Sequence, residues 1–399
     1  MMKKNMIQHM GKLLGRTMMV FFLTLAVACS GDKDADVIKN PVLRIYVYAP
    51  SNPIHTRANN GDVTATAAEK EIHSLQIWVF EHETGDLVGY LSPVQISVLN
   101  TNGQDSYELA VSKDFAARKP SVDVYVLANC SQANCGSRFS ANTTRAELDA
   151  AQIGNDGAND FFGLTTLHSS VDVNEGLPMS GVLKEQPIYG ESPVLRVGTS
   201  EKLATVRLVR AVSKVRFVFG RAEDAEKTLN ILSISLDDYM IPTAQYLMLD
   251  VPYTTGREYR VSPLTGRLDS HYEAGATLAS NIGLVDGYET PDKYVYTTGS
   301  AQAYEDSIDS GIERGDIKPG GLFYLRESDR RVSGTIRYQL GSDTPSEAQF
   351  IMTEAGDFSR NHTWIVYAYY EGAGDKLQIV TVYVKEWDDG NFDYVVYNW

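Results

Sequence analysis

Residues 206–219 read VRLVRAVSKVRFVF, and their alternation decides the fold class. Val209, Ala211, Val215, Phe217 and Phe219 fall on one face. Arg210, Lys214 and Arg216 fall on the other, joined by Val206, Leu208, Val212 and Val218. A period of two belongs to a β-strand, whose successive side chains point to opposite faces. The run is longer than an ordinary strand, so it is expected to bend or to cross between sheets. Its basic face could be mistaken for a nucleic-acid stripe. In a chain of net charge −15, the expected partners are neighbouring carboxylates.

The same pattern extends in both directions. Upstream it marks Val42–Tyr48 (VLRIYVY), Leu75–Phe80, Val94–Leu99, Tyr107–Val111 and Val122–Ala128; downstream it marks Leu229–Leu236, Val332–Leu340, Thr363–Tyr370, Leu377–Val384 and Phe392–Trp399. Clusters rich in Asn, Gly, Asp, Lys and Pro separate these runs and act as turns. One helix is expected, because Thr144 and Glu147 form a capping-box pair ahead of Leu148 and Ile153. Residues 154–200 are rich in Gly, Pro, Asn and Ser and read as one long irregular connection. No internal repeat occurs at a fixed period. Many short strands and little helix indicate β-sandwiches, and the length suits two domains with a boundary near Ser200.

The N-terminus has its own logic. Residues 1–28 carry Lys3, Lys4, Lys12 and Arg16 and no acid, and they contain the apolar run Met18–Ala28. That run is too short to span a bilayer and suits a signal peptide. Leu25-Ala26-Val27-Ala28-Cys29 resembles a bacterial lipobox, in which Cys29 is acylated and becomes the new N-terminus. The polar stretch Ser30–Asp36 that follows is similar to a surface-export signal of Bacteroidales lipoproteins. Loss of the four cations in residues 1–28 takes the charge from −15 to −19, which repels nucleic acid and anionic headgroups. Cys130 and Cys135 remain, five positions apart; they could bridge a short loop or stay as two thiols.

Residues able to do chemistry are scattered. His9, His55, His73, His82, His168, His271 and His362 show no metal-ligand spacing, and no HExxH, GxSxG, P-loop or GxGxxG motif occurs. Asp237-Asp238 and Asp388-Asp389 are adjacent carboxylates that a strand would send to opposite faces. The reading is therefore a non-enzyme with no cofactor and no metal. Asp306-Ser307-Ile308 resembles the O-glycosylation pattern of Bacteroidales export. Of 23 tyrosines, Tyr367, Tyr369, Tyr370, Tyr383, Tyr394 and Tyr397 lie near the end, where they fit half-buried strands or, on a sharper reading, a sugar-stacking platform.

Seven segments together resemble the fimbrillin family of Bacteroidales, the FimA-like pilins and their accessory subunits. They are the lipobox at Cys29, Ile72–Phe80 (IHSLQIWVF) followed by Thr84-Gly85, Val124–Asn129 (VYVLAN), Pro178–Gly181 (PMSG), Leu208–Val215 (LVRAVSKV), Gly356–Trp364 (GDFSRNHTW) and Val382–Trp387 (VYVKEW). The resemblance implies an all-β chain of two transthyretin-like β-sandwich domains with minor helix. It divides the chain into a signal peptide at 1–28, a lipidated propeptide with a removable first strand at 29–57, an N-terminal sandwich at 58–200 and a C-terminal sandwich at 201–399.

Assembly is implied as well. In the family, an arginine-specific protease removes the first strand, and a neighbour's C-terminal strand fills the groove. Here the removable strand is Val42, Leu43, Ile45 and Val47 with the residues between them. The cleaved bond joins Arg57 to Ala58 in a polar connector, the kind of segment a protease finds extended. The donor is the tail, alternating Phe392, Tyr394 and Val396 against Val395, Tyr397 and Trp399. Leu377–Val384 is either the last native strand or part of that donor. The partners implied are copies of the chain and other fimbrial subunits, the outer membrane through the precursor's lipid, and a ligand on a host or bacterial surface. A tip or anchor subunit, or a monomeric glycan-binding surface lipoprotein, is the alternative.

Overall fold

The computed structural model describes residues 40–48, 69, 71–95, 104–130, 135, 138–156, 159–160, 162–164, 167, 169–171, 175–248, 271–287, 301–353, 358–372, 374, 376–384 and 396–398. The first twelve strands are β1 (Val42–Tyr48), β2 (Ser74–Glu81), β3 (Leu87–Gln95), β4 (Gln104–Ala110), β5 (Val122–Ala128), β6 (Gln152–Asp156), β7 (Asn159–Asp160), β8 (Met179–Gln186), β9 (Ile188–Glu191), β10 (Val194–Val197), β11 (Thr205–Arg207) and β12 (Val209–Arg210). The rest are β13 (Ser213–Arg221), β14 (Leu229–Leu236), β15 (Ala244–Tyr246), β16 (Thr277–Val285), β17 (Lys318–Leu325), β18 (Val332–Leu340), β19 (Ser346–Thr353), β20 (Thr363–Tyr370), β21 (Gln378–Val384) and β22 (Val396–Asn398). Among the described residues, the helices with defined bounds are α1 (Lys113–Arg118), α2 (Arg145–Asp149) and α3 (Ala301–Arg314).

The fold is all-β, in two transthyretin-like sandwiches. In the first, a sheet with β1 at its centre faces a sheet ordered β12-β8-β5-β2-β3. Between them pack Leu43, Ile45 and Val47 of β1 with Leu75, Ile77, Val79, Val122, Val124, Val126, Val206 and Leu208. In the second, β17-β13-β20-β21-β22 faces β16-β14-β18-β19 around Phe217, Phe219, Ile234, Ile336, Phe350 and Trp364.

The two sandwiches repeat one topology. The order β3-β2-β5-β8 matches β16-β14-β18-β19, with every neighbour antiparallel. β1 lies antiparallel to β4 and parallel to β10 and β11, as β13 lies antiparallel to β17 and parallel to β20. Strand β1 of the first sandwich thus corresponds to β13 of the second.

The run 206–219 does cross between sheets, and does so twice. β11 pairs with β1, β12 pairs with β8 of the facing sheet, and β13 belongs to the second sandwich. Its basic face is paired: Lys214 meets Glu69 at 3.2 Å and Arg216 meets Asp309 of α3 at 2.5 Å. Arg210 donates from Nε to the Glu69 carbonyl at 2.8 Å and from a guanidinium NH to Asn361 Oδ1 at 3.1 Å. Arg210 and Lys214 are buried, so this face points into the junction of the two sandwiches.

That junction is built from charges that burial would penalise if they were unpaired. Arg326 pairs with Glu273 and donates to the Pro242 carbonyl at 2.9 Å. Arg360 pairs with Glu327 and donates to the Leu247 carbonyl at 3.0 Å. Residues 241–248 bridge the halves: Ile241 lies in the second core, while Leu247 and Met248 cover Trp78, Phe80, Tyr125 and Leu127 on the outer side of the β2–β5 sheet.

The helix at Thr144 is present, with the Thr144 hydroxyl accepting from the Glu147 N–H at 3.2 Å and the Glu147 carboxylate accepting from the Thr144 N–H at 2.7 Å. Residues 154–200 differ from the sequence reading. They hold β7 to β10 and the end of β6, four of these five strands being five residues or shorter. Pro187 and Pro193 flank β9 and interrupt the alternation that would have revealed it.

Candidate strand-exchange site

Strand β1 fills a slot on three sides. Antiparallel β4 pairs along its whole length, from Val42 opposite Ala110 to Tyr48 opposite Gln104. On the other edge β10 pairs with Val42–Arg44 and β11 with Tyr46–Tyr48, both parallel. Hydrogen bonds close the ends: Val42 N–H to the Pro193 carbonyl at 2.8 Å and Leu208 N–H to the Tyr48 carbonyl at 2.9 Å. Below, Leu43, Ile45 and Val47 are no more than 1% exposed. Above, Arg44 pairs with Glu108, which holds its guanidinium pKa above the usual value, and Arg207 lies over the Tyr48 ring at 5.4 Å. Among the described residues, β4 has no strand partner other than β1. Taking β1 away would open a hydrophobic trough and strip both flanking edges of their partner.

Several residues in the family-like segments shape this frame. Gly181 of β8 faces β11 so closely that a Cβ would meet the Arg207 carbonyl oxygen at 2.4 Å, so only glycine lets the two sheets approach there. Asn129 sits at φ +55° and ties three segments together. Its Oδ1 accepts from the His73 N–H at 2.8 Å, and its amide donates to the Glu71 and Leu177 carbonyls at 2.9 Å each. Gly85, at φ +75°, closes the β2–β3 turn beneath the Arg145 guanidinium. Beside that turn the buried Asp123 accepts from His82 Nδ1, an Arg145 guanidinium NH and the Glu185 N–H, each at 2.8 Å. Burial by itself would raise the Asp123 pKa, but these three donors outweigh it and hold the carboxyl below the usual range.

Sequence reasoning missed one residue, Glu69. It is fully buried and carries the chain from the β1–β2 connector into the first sandwich. Its carboxylate is held by Lys214 of β13 and by the hydroxyl of Tyr324 on β17. One of the two acids in Glu69-Lys70-Glu71 gives no sequence signal for such a role.

The remaining sequence expectations fall as follows. Cys29, Arg57 and Ala58 lie outside the described residues, as do Phe392, Tyr394, Val395 and Trp399. Val396 and Tyr397 belong to β22, which pairs antiparallel with β21 of the same chain as the edge strand of its sheet. Cys130 and Cys135 are free thiols in one cluster with Trp78 and Leu148; burial, then a hydrogen bond with Cys130, pushes the Cys135 thiol pKa up. Ser307 lies within α3, next to the buried Ile308. Among the described residues, no three His, Cys, Asp or Glu side chains are grouped to hold a metal ion, and no helix is long and apolar enough to cross a membrane.

Several solved structures resemble this chain. A candidate cell adhesion protein from Parabacteroides distasonis ATCC 8503 aligns with a TM-score of 0.50 at 13% identity, over 91% of this chain and 98% of its own. The tip fimbrial protein Mfa3 from Porphyromonas gingivalis, with a C-terminal truncation, aligns at 0.47 and 12% identity, over 90% and 100%. A fimbrial assembly protein from Parabacteroides distasonis ATCC 8503 aligns at 0.43 and 14% identity, over 90% and 100%. No curated protein matches the chain. The model of the family described as major fimbrial subunit protein (FimA) matches residues 42–201, beginning at the first residue of β1 and covering most of the sandwich built around it. Over those residues the chain is similar to the FimA-like fimbrial subunit family.

Proposed function

We propose that this protein is a structural subunit of cell-surface fimbriae that polymerises by strand exchange and contributes to adhesion. The observation that carries the reading is the position of β1: a central strand that supplies three core side chains and the sole described partner of β4. It is joined to β2 through residues 49–73, which contain Arg57. Cleavage after Arg57 frees the segment with its lipid-bearing Cys29. The trough then takes a strand from the C-terminal end of another copy by β-augmentation. Four or five apolar side chains of a tail such as residues 392–399 supply ~6–15 kcal/mol on burial, before ordering costs. Donor and acceptor lie at different places on each molecule, so the contact is head to tail and a filament grows.

In this reading the precursor sits in the outer membrane through the acylated Cys29, and copies of the chain and other fimbrial subunits are its partners. The chain acts as a scaffold and not as an enzyme. Residues 29–57 are the propeptide, the first sandwich is the acceptor domain and the second sandwich carries the donor. A tip or anchor subunit is the second reading, favoured by β22, whose described residues pair with β21 of the same chain. N-terminal sequencing of protein recovered from the cell surface separates the two. A start at Ala58 supports the cleaved shaft subunit, and an acylated Cys29 retained in the fibre supports an anchor.

A further inference from the structure

The pattern of strand β1 recurs near the end of the chain. Leu43–Tyr48 reads LRIYVY, and residues 392–397 read FDYVVY. Aligned without a gap, both have large apolar or aromatic residues at the first, third and fifth places, and both close on Val-Tyr. The second place is charged in both, with opposite sign: Arg44 against Asp393. In β1 the odd places are Leu43, Ile45 and Val47, which are buried, and the even places face outward.

The rim of the slot shows what each outward place meets. Arg44 lies opposite Glu108 of β4 and beside Arg196 of β10. Arg196 alternates with the buried Leu195 and Val197, so it shares the outer face with Arg44. Arg44 donates from Nε to the Glu108 carboxylate at 3.1 Å, which answers the acid on one flank and leaves a like charge on the other. Four residues on, Tyr48 lies beside Arg207 of β11, whose guanidinium carbon is 5.4 Å from the centre of its ring. Place 44 is therefore flanked by one charge of each sign, and place 48 by a cation that takes an aromatic face.

We propose that the tail of a second copy enters the slot in the direction and register of β1. Phe392, Tyr394 and Val396 take the places of Leu43, Ile45 and Val47; Asp393 comes beside Arg196, and Tyr397 meets the Arg207 guanidinium. This rests on the strand-exchange reading and adds the seat of each residue. The charge at the second place changes its partner from Glu108 to Arg196. In the same direction, one other register of residues 392–399 sends three apolar or aromatic side chains inward: Val395, Tyr397 and Trp399. It sets Val396 between Glu108 and Arg196, where an apolar side chain answers neither charge. Phe392 and Tyr394 are bulkier than Leu43 and Ile45, and the trough can widen on the β4 side, where β1 is the only described strand partner.

The test traps the register in fimbriae on intact cells producing the full chain, with Cys130→Ser and Cys135→Ala. Asp393→Cys is combined with Glu108→Cys, and oxidation by copper phenanthroline should join copies into a disulfide-linked ladder that survives boiling. Ser106→Cys or Ala110→Cys in place of Glu108→Cys should give at least about tenfold less, because a two-residue offset exceeds disulfide reach. Stronger linkage at Ser106 or Ala110 overturns the register and leaves strand exchange standing. A heat-sensitive ladder with no linkage from the tail to any of the three positions overturns both. A double-mutant cycle reads the charge pair separately. Arg196→Gln should slow ladder growth about threefold in the parent chain and leave it unchanged beside Asp393→Asn. Equal slowing in both backgrounds overturns the pairing of Asp393 with Arg196.

Discussion

A chain that begins at Ala58 lacks β1, and the size of the resulting defect follows from three side chains. Leu43, Ile45 and Val47 are no more than 1% exposed. At ~1.5–3 kcal/mol for each large aliphatic side chain, their burial contributes about 5–9 kcal/mol, an upper estimate because an unfolded chain already buries part of this surface. The total stability of a domain is only ~5–15 kcal/mol. The first sandwich should therefore open locally or fully, while the second, whose corresponding strand β13 is continuous with the body, stays closed. Hydrogen exchange read by mass spectrometry resolves this. Amides of β4 are the sensitive reporters, since β1 is their only described strand partner. Their protection should fall by at least about a thousandfold, at ~1.4 kcal/mol per factor of ten. Amides of β14 and β18 serve as the internal control and should not change. If β4 in the truncated monomer exchanges as slowly as in the full chain, β1 does not hold that edge and the slot has no energetic basis.

Three further outcomes test the frame around the slot. Gly181→Ala should destabilise the first sandwich by about 1–3 kcal/mol in urea unfolding, because its Cβ would meet the Arg207 carbonyl oxygen at 2.4 Å and force β8 from β11. Glu69→Ala leaves Lys214 buried without that carboxylate and should cost about 3–5 kcal/mol; a calorimetric scan should show one unfolding transition becoming two as the sandwiches uncouple. Asp123 has a folded pKa below its unfolded value of about 3.9, so its contribution is complete above that pH and is lost as pH falls through the folded pKa. Asp123→Asn should cost about 1–3 kcal/mol at neutral pH and flatten the acid limb of the stability curve below about pH 4.

Legibility in the sequence followed burial on one face or both. β1, β5, β14, β18 and β20 occupy the stretches that alternation or apolar β-branched runs marked, because each is a strand of seven to nine residues that faces a core. β16 was hidden: its two left-handed residues, Asn281 and Gly283, disturb the spacing and its pairing with β14 shifts register. Helix α3 (AQAYEDSIDSGIER) is polar enough to read as loop, with Ile308 its fully buried described residue. The crossing of residues 206–219 was foreseeable from length alone, but the fate of its basic face was not. Whether a cation points to solvent or into a junction depends on what packs above it, here Glu69 from a segment about 140 residues earlier. The repeated topology left no periodic trace either, since alternation fixes which face is buried and says nothing of which strand lies alongside.

The candidate site was legible in part for the same reason. Val42–Tyr48 announced a strand with one apolar face, and the structure places that face in the core. Its central position between β4 and the β10–β11 pair could not be read from local pattern, because parallel partners lie about 150 residues away. Gly181 and Asn129 stood out in the sequence only as parts of family-like segments; their reasons, a close backbone approach and a three-way amide bridge, are tertiary.

A peptide-capping experiment reaches the centre of the account. The chain beginning at Ala58, with its tail intact, is incubated alone and with excess synthetic peptide spanning Val42–Tyr48, and multimers are resolved by denaturing electrophoresis without heating. The expected result is a ladder of heat-sensitive multimers that collapses to peptide-bound monomer when the peptide is present at the start. A ladder that grows undiminished beside saturating peptide would mean that the trough vacated by β1 is not where one copy holds the next.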